Sequence, residues 1–559
     1  MTSTTVETQG LGFCATNENL GKVLEENSDN FGNNSLDIDK LLLFMSTVSE
    51  NPLKLSQMKV KVANFEETGR GMQALYDLKE DDVLISVPEK FCITTAVLID
   101  DPFIHYLLTD VINSREMDIS WKELYILFLV YYRRYLVDRQ SERQSNYQND
   151  NTMADLANQI ENPNWSDAKC NADWDERTKF YYYYIRSIPK VYTNPIVWPK
   201  AEYDLLPRTI RTMIDKEILD CEKSHRAINY MIEHISADHG ENHCQNESGT
   251  PIGKYSGFKP LTKAEYYWGY LTLQTRCFYW GMPRSRTSAA ILDKKFLNKS
   301  VVDNLALIPV VDMFNHNCTN GKSSAALNPD NRCFEIKTDN PNGFSKGNQV
   351  YIKYGDHGSE KLLWNYGFFN IGYNNLEDAV KVCLDDVMQA LPKKFVNYGS
   401  AVRQSYLQEK YLNIGLMLAI DGPSWSLQRC CMVLLYDRST DHQEADNKTF
   451  SQSTPEDDRL NEDEVYEELN DLVYENVVIP PKLITKTKIL LRKIVQNKLD
   501  LYQASIKRIK SYCADFEPRK NYASLDFDFS NFNLWMTYEL FKEFTRILDV
   551  CEDEGNFFE

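Results

Sequence analysis

The sequence predicts an α+β fold in which a β-rich domain, split by a helical insertion, precedes an all-helical C-terminal domain. Three observations predict it. Short strand-like runs around glycine corners occupy 60–94 and return at 305–354. Helical periodicity fills much of the chain between them. Beyond Asn370 it continues almost to the end, most clearly over 481–513 and 532–551.

Residues 1–35 are polar and carry little periodicity, which suits a loose arm, and a short helical pattern follows at 36–48. The runs 60–63 and 83–88 read as strands around the turn Glu67-Thr68-Gly69-Arg70-Gly71. The stretch 121–136 is apolar nearly all round, the mark of a buried helix. Residues 139–177 and 236–262 are polar and read as loops, enclosing a helical region at 179–235 that Pro189, Pro195 and Pro199 interrupt. A helix and then β structure return over 266–370, with 350–354 a strand. The acidic stretch 437–471 reads as a solvated loop. The expected domains are an N-terminal arm at 1–50, the split β domain at 51–370 with its insertion at about 101–265, and the helical domain at 371–559.

Composition narrows the function. With 43% hydrophobic and 26% charged residues, and a mean hydropathy of −0.47, the 559-residue chain has material for folded cores. Its longest apolar run, 124–132, is under half of the roughly 20 residues a membrane span needs. Sixty-two Lys+Arg against 81 Asp+Glu give a net charge of −19, which repels nucleic acid and anionic membrane and favours a cationic partner. The 13 cysteines show no C-x-x-C spacing, so neither structural zinc nor a disulfide framework is expected. His234, His239, His243 and Cys244 fall in a glycine-containing polar stretch and are read as an insert, with no metal. The basic residues at 486–510 read as a solvated helix face. These features suggest a cytoplasmic monomer, with the nucleus as a second location.

Four segments carry chemistry. Gly69-Arg70-Gly71 follows a strand, where glycines admit positive φ and let a ligand approach the backbone, though an ordinary hairpin uses the same residues. Leu271-Thr-Leu-Gln-Thr-Arg276 places one cation against an apolar stretch, as a surface helix with a snorkelling arginine also would. Leu305-Ala-Leu-Ile-Pro-Val-Val-Asp312-Met313-Phe314-Asn315-His316 is an apolar run closing in polar side chains, a pattern shared by loop caps and binding sites. The last pairs Tyr351-Ile-Lys-Tyr354-Gly355 with Asn365-Tyr366-Gly367-Phe368-Phe369, whose tyrosines taken alone are core residues.

In order and spacing these segments resemble the SET-domain lysine methyltransferases of the Rubisco large-subunit type, which include fungal ribosomal-protein lysine methyltransferases. Lys179-Phe-Tyr-Tyr-Tyr-Tyr-Ile-Arg-Ser-Ile-Pro189, with Pro195-Ile-Val-Trp198, is similar to that family's helical insert and marks the four tyrosines as packing residues. The resemblance covers 59–370 well, the C-terminal region loosely, and 1–50 not at all. It implies a split SET domain and a helical substrate-binding domain. It also implies S-adenosylmethionine as cofactor, held by Gly69, Arg70, Gly71, Met72, Arg276, Asp312, Met313, Phe314, Asn315, His316 and Tyr366. Arg276 would meet the carboxylate of the cofactor, Tyr366 would stand beside the transferred methyl, and Tyr354 would be a second tyrosine of the lysine channel. Ser359 and Lys361 stand where the family shows Asn and Glu.

What the resemblance implies is methylation of a lysine in a non-histone basic protein, first of all a ribosomal protein. An elongation factor, cytochrome c or a histidine acceptor are variants, and a SET-fold binding module without turnover is the alternative from another class.

Overall fold

The computed structural model describes residues 34–48, 50–66, 68–108, 119–134, 175–237, 258–280, 305–372, 375–397, 400–437, 462–474, 478–513 and 529–553. The N-terminal helix α1 (Asn34–Thr47) buries Ile38, Leu41 and Met45, and Asp37 pairs with Arg186 at 2.9 Å. The last third of the arm is thus packed onto the insertion.

Among the described residues, three small sheets follow. β1 (Val60–Phe65) and β2 (Gly69–Ala74) form an antiparallel hairpin closed where Phe65 faces Gly69, whose φ is +67°. β3 (Val83–Pro88), β4 (Ile93–Thr94), β5 (Cys277–Tyr279), β6 (Leu305–Leu307) and β7 (Asn315–His316) are succeeded by β8 (Ser323–Asn328), β9 (Cys333–Thr338) and β10 (Gln349–Ile352). The strand orders are β1-β2-β10-β7, β3-β9-β8 and β4-β6-β5, so each sheet joins chain from both sides of the insertion. In the first of them β10 runs antiparallel to β2, with Val350 opposite Met72. It also runs parallel to β7, with Tyr351 opposite Asn315.

The insertion is built from α2 (Trp121–Tyr132), α3 (Glu176–Ser187), α4 (Arg208–Ala237) and α5 (Lys263–Arg276). Capping boxes start α2 at Ser120 with Glu123 and α5 at Thr262 with Glu265, satisfying amide groups that a helix start leaves free. Tyr181, Tyr182, Tyr183 and Tyr184 of α3 are all buried, and the Tyr181 ring meets Phe128 of α2 edge-on and Tyr132 at a tilt. α6 (Ser359–Tyr366) then ends at Gly367, φ +78°. A Cβ there would lie 2.5 Å from Thr193 Oγ1 and 2.8 Å from Asn194 N, so glycine is required both for the helix stop and for the close approach.

The C-terminal domain combines the three-stranded sheet β11 (Ala379–Lys381), β12 (Met417–Ala419) and β13 (Gly422–Pro423) with five longer helices. These are α7 (Ser400–Glu409), α8 (Trp425–Leu435), α9 (Glu462–Val473), α10 (Pro481–Tyr512) and α11 (Phe529–Asp553). α9 departs from the loop expected over 437–471. Its Leu469, Leu472 and Val473 are buried against α8, and the surrounding acidic residues mask that apolar stripe in the composition. The expected loops at 139–177 and 236–262 lie largely outside the described residues, as do His239, His243 and Cys244. Among the described residues no His, Cys, Asp and Glu group could hold a metal, and no helix is long and apolar enough to cross a membrane.

Candidate active site

A cavity of about 210 Å³ opens where the β1-β2-β10-β7 sheet meets the insertion. Its lining includes Arg70 at the start of β2, Arg276 at the end of α5, Asp312, Met313 and Asn315 before and in β7, Tyr354 after β10, and Tyr366 at the end of α6. Arg276 Nη1 donates to Asp312 O at 3.0 Å and to Asp312 Oδ2 at 3.1 Å. Tyr184 adds its hydroxyl to the same carboxylate oxygen at 3.1 Å, so one tyrosine of the packing run supports the site from beneath. Burial opposes the charge on Arg276, yet the facing Asp312 raises its pKa above the ordinary arginine value. Arg70 donates to Ser187 O at 3.1 Å, and although Asp312 favours its charge it is pushed down to about 10 by burial and by the charge of Arg276. Two guanidiniums against one carboxylate leave an excess positive charge, which suits an anionic ligand group.

The segment before β7 is held under strain. Val310 has φ +73°, a left-handed conformation costly for a β-branched residue. The turn carries the chain through a short 3₁₀ segment at Val311–Met313 into β7. Asn315 Nδ2 then donates to Arg70 O at 2.9 Å. That bond depends on Gly71, because a Cβ there would lie 2.3 Å from Gln349 Nε2 and 2.8 Å from Asn315 Nδ2. His316 is buried and its Nδ1 accepts from Tyr354 N at 3.1 Å, which places the proton of the neutral ring on Nε2. Burial, with His357 and Lys353 nearby, lowers its pKa to about 4.

Because the folded state holds His316 neutral, its contribution to stability is complete above the ordinary histidine pKa near 6.5. It is lost as pH falls from there through about 4. The unfolding free energy of wild type minus that of His316→Asn should therefore be largest at pH 7 and shrink at pH 4.5. Denaturant titrations at the two pH values check this, and a pH-independent difference refutes it.

Three aromatic rings define the other side. Tyr354 and Tyr366 have centroids 4.9 Å apart, and Phe368 stands edge-on to both at 6.4 and 6.5 Å. Tyr354 donates its hydroxyl to Phe314 O at 2.6 Å. The Tyr366 hydroxyl has no hydrogen-bond partner among the described residues, and burial pushes its pKa up to about 12. It is therefore a neutral group able to orient an incoming amine. α6 is fixed at both ends: Thr193 donates to Gly367 O at 2.9 Å, and Ser359 donates its hydroxyl to Asp378 at 2.7 Å. The departure at Ser359 thus keeps a hydrogen-bonded start to the helix.

Of the residues singled out in the sequence, Arg70, Arg276, Asp312, Met313, Asn315, Tyr354 and Tyr366 line this cavity. Gly69, Gly71, Met72, Phe314 and His316 are not in the lining: Gly69 closes the β1–β2 hairpin, Gly71 admits Asn315, and Met72, Phe314 and His316 are buried. Sequence reasoning missed Pro189, Val191, Tyr192, Thr193, Thr275 and Phe368. The prolines after the tyrosine run gave a signal, since Pro189 and Pro195 favour extended chain that can wall a pocket. The fit to S-adenosylmethionine is supported by two buried polar atoms without partners, Arg276 Nε and Asp312 Oδ1, on residues that line the cavity.

No family profile matches the chain. It is 25% identical to SET domain-containing protein 4 of Mus musculus over 368 residues, which cover 65% of this chain and 66% of that protein. A ribosomal lysine N-methyltransferase of Schizosaccharomyces pombe, set11, is 29% identical over 111 residues, covering 20% of this chain and 24% of its own. An actin-histidine N-methyltransferase of Gallus gallus is 25% identical over 326 residues, 58% of this chain and 41% of its own. The SET domain of LSMT solved with lysine and AdoHcy matches at a TM-score of 0.50 and 13% identity, over 93% of both chains, and shows the fold. The fold is that of the SET domain, the chain is similar to SET-domain protein methyltransferases, and these likenesses support S-adenosylmethionine as cofactor.

Proposed function

We propose that this protein methylates the side-chain amine of a lysine in a basic, non-histone protein, and that the acceptor is ribosomal. The observation that carries this reading is the single cavity where Arg70, Arg276 and Asn315 face the Tyr354, Tyr366 and Phe368 rings. When bound, S-adenosylmethionine supplies a methyl group on a positively charged sulfur. Asn315, set by the Arg70 carbonyl, and the excess charge of the two arginines hold the methionyl end. Gly71 leaves room for Asn315, and the buried Met72, Phe314 and His316 back that part of the site.

The amine must arrive neutral. With a free lysine pKa near 10.4, deprotonation at pH 7 costs about 4 to 5 kcal/mol. An aromatic channel reduces that cost by disfavouring the ammonium form. Tyr354 and Tyr366 contribute rings that exclude water, and the Tyr366 hydroxyl aligns the lone pair without a negative charge that would retain the proton. No side chain forms a covalent bond to the acceptor.

The negative net charge and the set11 likeness support a ribosomal acceptor. We place the protein in the cytoplasm, with the nucleus as a second site, acting as a monomer on a protein and not on nucleic acid. The test is incubation with labelled S-adenosylmethionine and ribosomal proteins from cells lacking this protein, followed by amino-acid analysis. Methyllysine supports the reading, methylhistidine moves it toward the chemistry of the actin-histidine relative, and an unlabelled extract overturns the ribosomal acceptor. Asn315→Ala should weaken cofactor binding about tenfold, the worth of one lost buried hydrogen bond. Unchanged affinity by calorimetry contradicts its role.

A further inference from the structure

Two helices carry the halves of the site toward each other: α5 ends on Arg276 and α6 on Tyr366. On the cavity side the segment 192–194 joins them. Tyr192 shares a hydroxyl hydrogen bond of 2.7 Å with Thr272 of α5, while Asn194 donates to Trp364 O and Thr193 to Gly367 O at the end of α6. Gln274 Nε2 adds a longer bond to Asn365 Oδ1 at 3.3 Å. A single line of bonds still lets one helix turn about it relative to the other. A second line, away from the cavity, comes from α4. Its Glu217 accepts the Tyr270 hydroxyl of α5 on Oε1 at 2.6 Å and Trp364 Nε1 of α6 on Oε2. None of Glu217, Tyr270 and Trp364 is in the cavity lining.

The reach is short. Tyr270 stands six residues before Arg276 and Trp364 two before Tyr366, about 9 and about 3 Å along their helices. Each carboxylate oxygen of Glu217 is taken by a different helix, so one planar group sets the distance between the two donors. Burial, with Cys221 and Glu217 nearby, raises the Tyr270 pKa far above the ordinary tyrosine value, which keeps its hydroxyl a donor. α4 is a firm base for this bracket. Ile214, Cys221, Ile228, Met231 and Ile232 along it are buried, and Thr209 near its start donates to Glu360 Oε1 at 2.8 Å, at the opposite end of α6 from Trp364.

We propose that Glu217 is a positioning residue for methyl transfer: by holding Tyr270 and Trp364 at one distance it fixes Arg276 against Tyr366, and so the cofactor against the incoming amine. The assignment rests on the methyl-transfer reading and adds a residue that acts through two helices without touching either reactant. Such a bond matters because an alignment error of about 1 Å costs on the order of 100-fold in rate.

Glutamine can keep both links, since its carbonyl accepts from Trp364 and its amide donates to the Tyr270 oxygen, whereas alanine keeps neither. The readout is single-turnover transfer from saturating labelled S-adenosylmethionine to ribosomal proteins from cells lacking this protein, expressed per folded molecule. It should fall at least about tenfold in Glu217→Ala and stay within about threefold of wild type in Glu217→Gln. Tyr270→Phe, which opens one arm, should lose about threefold alone and nothing further when added to Glu217→Ala. Glu222→Ala is the control, because the bond of Glu222 to Lys263 at 3.4 Å runs from α4 to α5 alone, and it should turn over as wild type. Wild-type rates in Glu217→Ala, an equal loss in Glu217→Gln or in Glu222→Ala, or additive losses with Tyr270→Phe overturn the proposal. If wild type labels no ribosomal protein, the acceptor reading fails and calorimetry decides the role of Glu217. Glu217→Ala should then bind S-adenosylmethionine at least about threefold more weakly, because Arg276 shifts with α5, while Glu217→Gln binds as wild type. Unchanged affinity in Glu217→Ala overturns it.

Discussion

Tyr366→Phe should lower methyl transfer about 100-fold or more, the scale set by loss of alignment, while S-adenosylmethionine affinity stays within about twofold. The separation follows from the site. The Tyr366 hydroxyl has no protein partner among the described residues, so its removal leaves the surrounding wall unchanged. The ring itself is retained and stays pinned, because Gly367 O is held by Thr193 and the Trp364 carbonyl by Asn194 at 3.2 Å. Tyr354→Phe differs, since its hydroxyl holds Phe314 O, and should reduce cofactor affinity together with rate. Single-turnover rates of Tyr366→Phe within about twofold of wild type contradict the assignment.

Asp312→Ala should destabilise the protein by about 3 to 5 kcal/mol, the usual cost of leaving a buried charge without its partner. The Asp312 side chain is 1% exposed and that of Arg276 13%, so water cannot replace the lost carboxylate. Tyr184 loses its acceptor in the same step. A paired replacement, Asp312→Leu with Arg276→Met, should recover much of the loss while abolishing cofactor binding. Guanidinium denaturation measures both, and a loss under about 1 kcal/mol for Asp312→Ala contradicts the pairing.

What the sequence made legible was whatever depends on local pattern. The glycine corner at Gly69-Arg70-Gly71, the polar close of 305–316 and the Tyr354 and Tyr366 segments are readable as runs, and the cavity draws on each. Arg276 shows where reading stops. Its spacing fits a snorkelling surface arginine, but its Nη1 is committed to Asp312, a partner that only the threaded turn at Val310 brings near. α9 was hidden for a related reason: Leu469, Leu472 and Val473 are a sparse stripe among carboxylates, visible only once α8 supplies the surface they cover. Phe368 and Thr193 lay unassigned because nothing in one dimension sets the far wall of a pocket.

The double pairing of β10 has a consequence for how such a protein can change. One strand edge pairs with Met72 and Gln73, next to the glycine corner, the other pairs with Asn315 and His316, and two residues past its end stands Tyr354. Donor and acceptor halves therefore share a single rail, and any slip of that rail misaligns both at once. Selection is left to alter preference at the periphery, in loops and docking faces, while the interval between methyl and amine stays fixed.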